Sequence, residues 1–352
     1  MSSPQSLPLP VVLVGCGAVS QLFYAPALRA LEGTGHLRVV GLIDLAERAR
    51  RELQQKFPSA RATVSLGDLA AVGAKLAIIA TPPNFHREHA EAAFAAGLDV
   101  LCEKPLASSA TQGAAMVAAA EGAGRLLAAG HYKRFFPAHR ALKLLIEQQT
   151  FGALQTVEIA EGGKFGWPAA TDSFFRKEQT SGGVLLDIGV HVLDLLLWWL
   201  GEPDEISYAD DAAGGLEANC RFRGDFPGGV GVTVQLSRDW ATPNCYVFRF
   251  DRATVHCRVN ASNQLEFTLD GLPMSFAAEL RELLPPRPAP ATVPLETNPQ
   301  AFIAQLVDVC AAVQSRRAPL VTGADALRVI RLIERCYQAR QQLPQPWLAA
   351  VS

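Results

Sequence analysis

Val11–Val14 form a short, unbroken apolar run whose β-branched, uncharged residues predict a buried strand. A helical spacing of apolar residues follows through Ala18, Leu22, Ala25 and Leu28. The alternation then repeats. "LRVVGLIDL", "KLAIIATPP" (75–83), "DVLCEKPLA" (99–107) and "RLLAAGHY" (125–132) read as strands. "AERARRELQQKF", "HREHAEAAFAAG" and "ATQGAAMVAAAEGAG" read as the helices between them, the second closed by Gly97. Strands alternating with helices argue for a parallel sheet covered on both faces, with ligands beyond the carboxyl ends of its strands.

The pattern changes after residue 132. "HYKRFFPAHRALKLLIEQQTFG" reads as a loop and a helix, with Lys133 and Arg134 set among aromatic residues as an interface or a ligand wall. Strand-like segments then gather at 153–162, 216–222, 228–238, 245–251, 253–259 and 264–269, and their short connections favour antiparallel neighbours. The proline-rich stretch 284–295 reads as a surface crossing. Two helices end the chain, and Pro299 suits the first turn of the first. The expected division is 1–132 for one domain and 133–352 for the other, with the last helices available to pack back on the first domain.

Chemistry enters at the ends of the predicted strands. Gly15 and Gly17 follow the first strand, where a glycine turn opening a helix lets the backbone approach a pyrophosphate. Ser20 stands where that pattern usually has its third glycine. Asp44 ends the second strand, 27 residues after Gly17. It can accept ribose hydroxyls or cap the following helix. A carboxylate there opposes a 2′-phosphate and favours NAD, while Arg48 and Arg50 keep NADP open. Thr81, Pro82, Asn84, Glu103 and Lys104 lie at further strand ends. Lys104 reads either as a partner of Glu103 or as a fixed positive charge that stabilises a developing alkoxide.

Composition narrows the classes. The 352 residues are 49% hydrophobic with a net charge of −2 and interspersed signs, which argues against a nucleic-acid partner. Seven scattered cysteines fit a reducing compartment and form no close metal-ligand set, so no metal is expected. The first ten residues lack the basic and apolar regions of a signal peptide. "VLDLLLWWLG" is about half the length needed to span a bilayer. These features give the expectation of a soluble, cytoplasmic protein without a membrane partner.

The most unusual polar pair lies in "SGGVLLDIGVHVLD" (181–194). Gly182 and Gly183 give a flexible entry to an apolar helix that carries Asp187 and His191 at i and i+4. Burying such groups is costly without partners. They are either a satisfied core pair or the centre of a site.

"GCGAVS", "IIATPPNFHREHAEAAFAAGLDVLCEKPLA" and "SGGVLLDIGVHVLDLLLWWLG" together resemble the Gfo/Idh/MocA family of glucose–fructose oxidoreductases, inositol dehydrogenases and rhizopine catabolism proteins. The resemblance covers roughly residues 11–340. It implies an α/β fold: an N-terminal Rossmann-type dinucleotide-binding domain, then an α/β domain with a large, mostly antiparallel sheet that binds substrate and forms a homodimer or homotetramer. It implies NAD(P)-dependent hydride transfer at a hydroxyl-bearing carbon of a sugar, cyclitol or related polar molecule. It gives Lys104 a place beside nicotinamide and substrate, Asp187 a substrate-holding or histidine-positioning role, and His191 the acid–base role. Gly15, Gly17 and Ala18 match the pyrophosphate turn, Asp44 the ribose contact, and Thr81, Pro82, Asn84, His86 and Glu103 the cofactor lining. Tyr24 departs from the histidine common among relatives, and Tyr132 from their asparagine. Glu161–Trp167, Phe174–Lys177 and Trp240 are further candidates for the substrate pocket. A same-fold reductase, a glycosidase that recycles NAD, and a dinucleotide-binding regulator remain open alternatives.

Overall fold

The apolar runs become strands because their residues are buried on both faces or on one. The computed structural model describes residues 7–166, 180–280 and 299–343, apart from Val72, Asn260 and Pro273. The proline-rich stretch 284–295 lies outside these. The first elements are β1 (Leu9–Val14), α1 (Ala25–Gly33), β2 (Leu37–Ile43), α2 (Glu47–Lys56), β3 (Arg61–Thr63), β4 (Leu76–Ile79), α3 (His86–Ala95), β5 (Asp99–Cys102), α4 (Ala110–Gly122) and β6 (Leu127–Ala129). Then come α5 (Pro137–Glu147), β7 (Leu154–Gly162), α6 (Val190–Leu200), β8 (Glu205–Asp210), β9 (Asn219–Phe226) and β10 (Val230–Ser237). The chain continues with β11 (Cys245–Phe250), β12 (Ala253–Arg258), β13 (Gln264–Leu269), β14 (Ser275–Glu279), α7 (Pro299–Ser315), α8 (Gly323–Gln338) and β15 (Arg340–Gln342).

The described parts of Met1–Phe135 and Pro286–Leu327 form one compact unit. Its six strands are all parallel, in the order β3-β2-β1-β4-β5-β6. This is the N-terminal Rossmann-type domain. Every residue of β4 and β5 is buried, which is why both read as unbroken apolar runs. Phe302, Leu306 and Val309 of α7 join Leu13, Leu28, Leu42 and Ile78 in the core. Three details differ from the sequence reading. β3 is a strand at a place where the sequence predicts none. β6 stops at Ala129, and Tyr132 begins a 3₁₀ turn (Tyr132–Phe135). The helix after the glycine turn opens at Ala18 and Val19 and widens into a π-helical turn, Ser20–Tyr24, before α1. Pro26 has no N–H to donate back into that turn, and the regular α-helical ladder resumes with α1.

The described parts of Phe136–Trp167, Thr171–Pro285 and Arg328–Ser352 form the second unit. Its nine strands run β14-β13-β12-β11-β7-β10-β9-β8-β15. Six pairings are antiparallel and two are parallel, β7 with β10 and β8 with β15. Alternation along β9 turns Cys220, Phe222 and Phe226 inward and Arg221, Arg223 and Asp225 outward. The inner face packs on Leu142 of α5, Leu195 and Trp199 of α6, and Ile333 of α8. Each such large apolar side chain contributes roughly 1.5–3 kcal/mol on burial. α6 is apolar nearly all round because it is buried nearly all round.

Candidate active site

Strand order reverses beside β1, which pairs with β2 on one side and β4 on the other. Ligands of open α/β sheets bind at such a reversal. Gly15 follows β1 with φ +95°, and a Cβ there would lie 2.7 Å from the Ala80 carbonyl and the Thr81 nitrogen. Only glycine lets the turn pass so close to the end of β4. Ser20 Oγ donates to the Gly15 carbonyl at 2.6 Å, so the serine in the third position ties the turn together. Gly17 is exposed, and a Cβ on it would meet nothing within 4 Å. Ala18 beside it is half-buried. The turn therefore has a backbone surface open to close approach.

Asp44 directly follows β2, and its carboxylate accepts the Cys16 N–H at 2.6 Å and the Ala46 N–H at 2.7 Å. The acid is thereby held against the glycine turn. It is not the capping residue of α2: that position is Ala46, which makes no side-chain cap. Arg50 donates to the Asp44 carbonyl at 2.5 Å, while Arg48 pairs with Glu52 at the surface. Burial and the neighbouring Asp44 push the Cys16 thiol up to about 12, so it stays protonated.

The ends of β4 and β5 carry the remaining candidates of this unit. Thr81 is half-buried, 3.0 Å from His89 Nδ1, and Pro82 and Asn84 are exposed beyond it. His86 is fully buried. Its Nε2 lies 2.7 Å from the Thr81 carbonyl and its Nδ1 2.9 Å from the Pro105 carbonyl. The imidazole thus joins the two loops, and burial lowers its pKa. Glu103 is buried just past β5. One of its oxygens accepts the Tyr24 hydroxyl at 2.7 Å and the other the Lys104 N–H at 3.0 Å. Burial raises its pKa, an effect partly opposed by these bonds and by the Lys104 charge. Lys104 is half-buried and precedes the cis Lys104–Pro105 bond. Lys133 and Arg134 are buried, Arg134 lying 3.7 Å from Asp325.

In the second unit, Asp187 lies within a π-helical turn, Leu185–Gly189, and His191 in the first turn of α6. His191 is buried and Asp187 half-buried. Asp187 forms an ion pair with Arg238 at 3.0 Å. Arg238 is buried just past β10, and its guanidinium lies 5.5 Å from the centre of the Phe165 ring. The two-glycine entry is close-packed rather than flexible. A Cβ on Gly182 would overlap the Tyr337 hydroxyl, and one on Gly183 the Glu217 backbone. Glu217 is buried there and accepts the N–H groups of Gly183 and Leu185 and the Tyr337 hydroxyl. Glu161 is buried and accepts the Tyr246 hydroxyl. Trp240 is half exposed and donates to Asn219 at 2.5 Å. Trp167 and Phe174–Lys177 lie outside the described residues.

Sequence reasoning missed Arg238, the hydrogen-bonding role of Ser20 and the Tyr24–Glu103 bond. Only the positive charge after the "QLS" strand end hinted at the first. Among the described residues, no group of three or more His, Cys, Asp or Glu is placed to hold a metal ion, and no helix is long and apolar enough to cross a membrane.

Residues 9–131 match the family model described as "Oxidoreductase family, NAD-binding Rossmann fold", and residues 139–260 match "GFO/IDH/MocA C-terminal domain". The chain is 31% identical over 213 residues to the D-glucoside 3-dehydrogenase of Escherichia coli, covering 57% of each. It is 32% identical over 237 residues to the human trans-1,2-dihydrobenzene-1,2-diol dehydrogenase, covering 64% of this chain and 69% of that protein. Against several curated relatives the chain spans a little over half of their length, 51–59%. In fold it is similar to the aldose–aldose oxidoreductase of Caulobacter crescentus, solved with glycerol. The TM-score is 0.79 at 24% identity, over 94% of this chain and 97% of that one.

Proposed function

The chain belongs to the Gfo/Idh/MocA oxidoreductase family, and from that premise we propose that it is an NAD(P)-dependent dehydrogenase or reductase, with NAD preferred, acting at a hydroxyl-bearing carbon of a sugar, cyclitol or related polar molecule. The observation that carries this reading is the meeting of the glycine turn, Asp44 and the Lys104 loop around one end of the parallel sheet. The residues fit a dinucleotide. Gly17 has open space where a side chain would stand, and Asp44 is held beside the turn, where its charge opposes a 2′-phosphate. Gly15, Gly17 and Ala18 would hold the pyrophosphate, Asp44 the ribose, and Thr81, Pro82, Asn84 and Glu103 the nicotinamide half. His86 would act from beneath by fixing the Thr81 loop.

When bound, nicotinamide supplies the hydride acceptor or donor. The chain's own residues handle charge and proton. The Lys104 ammonium stabilises negative charge developing on the substrate oxygen. His191 takes the hydroxyl proton in oxidation and returns it in reduction, a task suited to imidazole near neutral pH. Asp187, braced by Arg238, binds a neighbouring hydroxyl or orients His191. Relatives named as glucoside and diol dehydrogenases support the substrate class. Assembly into a homodimer or homotetramer is part of the same reading and rests on the family alone. The protein is expected in the cytoplasm.

The test is a panel of D-glucose, D-xylose, myo-inositol and methyl β-D-glucoside with NAD⁺ and with NADP⁺. The expected result is NADH accumulating one-for-one with oxidised product. Product without net NADH points to a recycling glycosidase, and failure to bind either dinucleotide ends the reading.

A further inference from the structure

Tyr24 is fully buried at the close of the π-helical turn. Its ring stands edge-on to Phe302 of α7, with centroids 5.2 Å apart. Phe302 also stacks on Phe23 at 5.1 Å and on Tyr132 at 4.8 Å, so the Tyr24 ring has little room to swing. The hydroxyl donates to Glu103 at 2.7 Å and lies 3.5 Å from the Gln305 amide nitrogen. The other Glu103 oxygen accepts the backbone N–H of Lys104. Gly130 is packed against this carboxylate: a Cβ there would come within 2.9 Å of it. Glu103 is therefore gripped at both oxygens, and one grip is the peptide from which the Lys104 side chain departs.

We propose that Tyr24 is a positioning residue: through Glu103 it fixes the Lys104 peptide, and with it the direction of the Lys104 ammonium. The inference rests on the role proposed above for Lys104. The Tyr24 bond favours the charged form of Glu103 against the cost of its burial. A carboxylate accepts the Lys104 N–H more strongly than a neutral carboxyl does. Deleting the hydroxyl thus loosens both grips at once. The π-helical turn also begins at Ser20, whose hydroxyl holds Gly15, so one turn links the nucleotide turn to the lysine loop. Displacing a reacting group by about 1 Å can slow chemistry ~100-fold.

Tyr24→Phe, Lys104→Ala and the double variant test this in single-turnover oxidation at saturating NAD⁺. The probe is whichever of D-glucose, D-xylose, myo-inositol and methyl β-D-glucoside the unmodified protein oxidises fastest. Tyr24→Phe is expected to slow hydride transfer roughly 10- to 100-fold. KM and NADH affinity should stay within about 2-fold, which also reports an intact fold. On the Lys104→Ala background the same change should cost less than about 2-fold, because its route of action is gone. Equal fractional losses on both backgrounds, or a wild-type rate in Tyr24→Phe, overturn the proposal. A wild-type rate in Lys104→Ala instead removes the Lys104 role on which it rests.

Discussion

Gly15 and Gly17 sit two residues apart and answer different demands. Gly15 has a left-handed φ and touches the backbone of Ala80 and Thr81, neither of which can yield as a flexible side chain would. Gly15→Ala should therefore cost about 2–4 kcal/mol of stability through strain and overpacking. Gly17 touches nothing at the point where a side chain would begin. Gly17→Ala should leave the melting temperature within about 1 °C while weakening NADH binding at least ~10-fold. Fluorescence titration beside thermal unfolding separates the two. If Gly17→Ala binds NADH like the parent, the turn is not the pyrophosphate cradle. The spacing of these glycines was legible in the sequence, because a turn between strand and helix has a local signature. The Asp187–Arg238 pair was not: its partners are 51 residues apart and are joined only by folding of the second sheet.

Elements with a strong hydrophobic period were legible, and those governed by context were not. β4 and β5 are buried throughout and read as apolar runs. β3, β8, β14 and β15 are not marked in the sequence. β14 is mostly exposed and β15 wholly so, which leaves neither the alternation nor the apolar run that marks a strand. In the sequence the two π-helical turns look like ordinary helix, because a single widened turn scarcely alters a 3.6-residue period. α7 was legible as a helix free to pack back on the first domain, but the contacts that hold it there were not, because they depend on Phe302 meeting Phe23, Tyr24 and Tyr132. Phe302→Ala should cost about 3–5 kcal/mol by leaving a cavity among these rings. Denaturant unfolding would measure it, and a loss under about 1 kcal/mol would mean that α7 is not held through this residue.

At the scale of the whole molecule, stability against pH carries a contribution from carboxylates buried beside helix and strand ends. Glu217 is one, buried among Gly183, Leu185 and Tyr337, and burial raises its pKa above the ordinary value of 4.5. The sign follows from linkage. Between the ordinary and the raised value, the folded chain still holds a proton that the unfolded chain has released. Stability from this group is therefore full below about 4.5 and declines as pH rises through the raised value. Glu217→Gln keeps the oxygen that accepts all three hydrogen bonds and has no proton to lose. Its melting temperature relative to the parent should climb as pH is raised from 4.5. Each kcal/mol recovered corresponds to roughly 2–4 °C. Because every other titrating group is common to both proteins, their contributions cancel in the difference. Parallel melting curves across that range would show that Glu217 is already ionised at low pH in the fold, and that its three donors outweigh its burial.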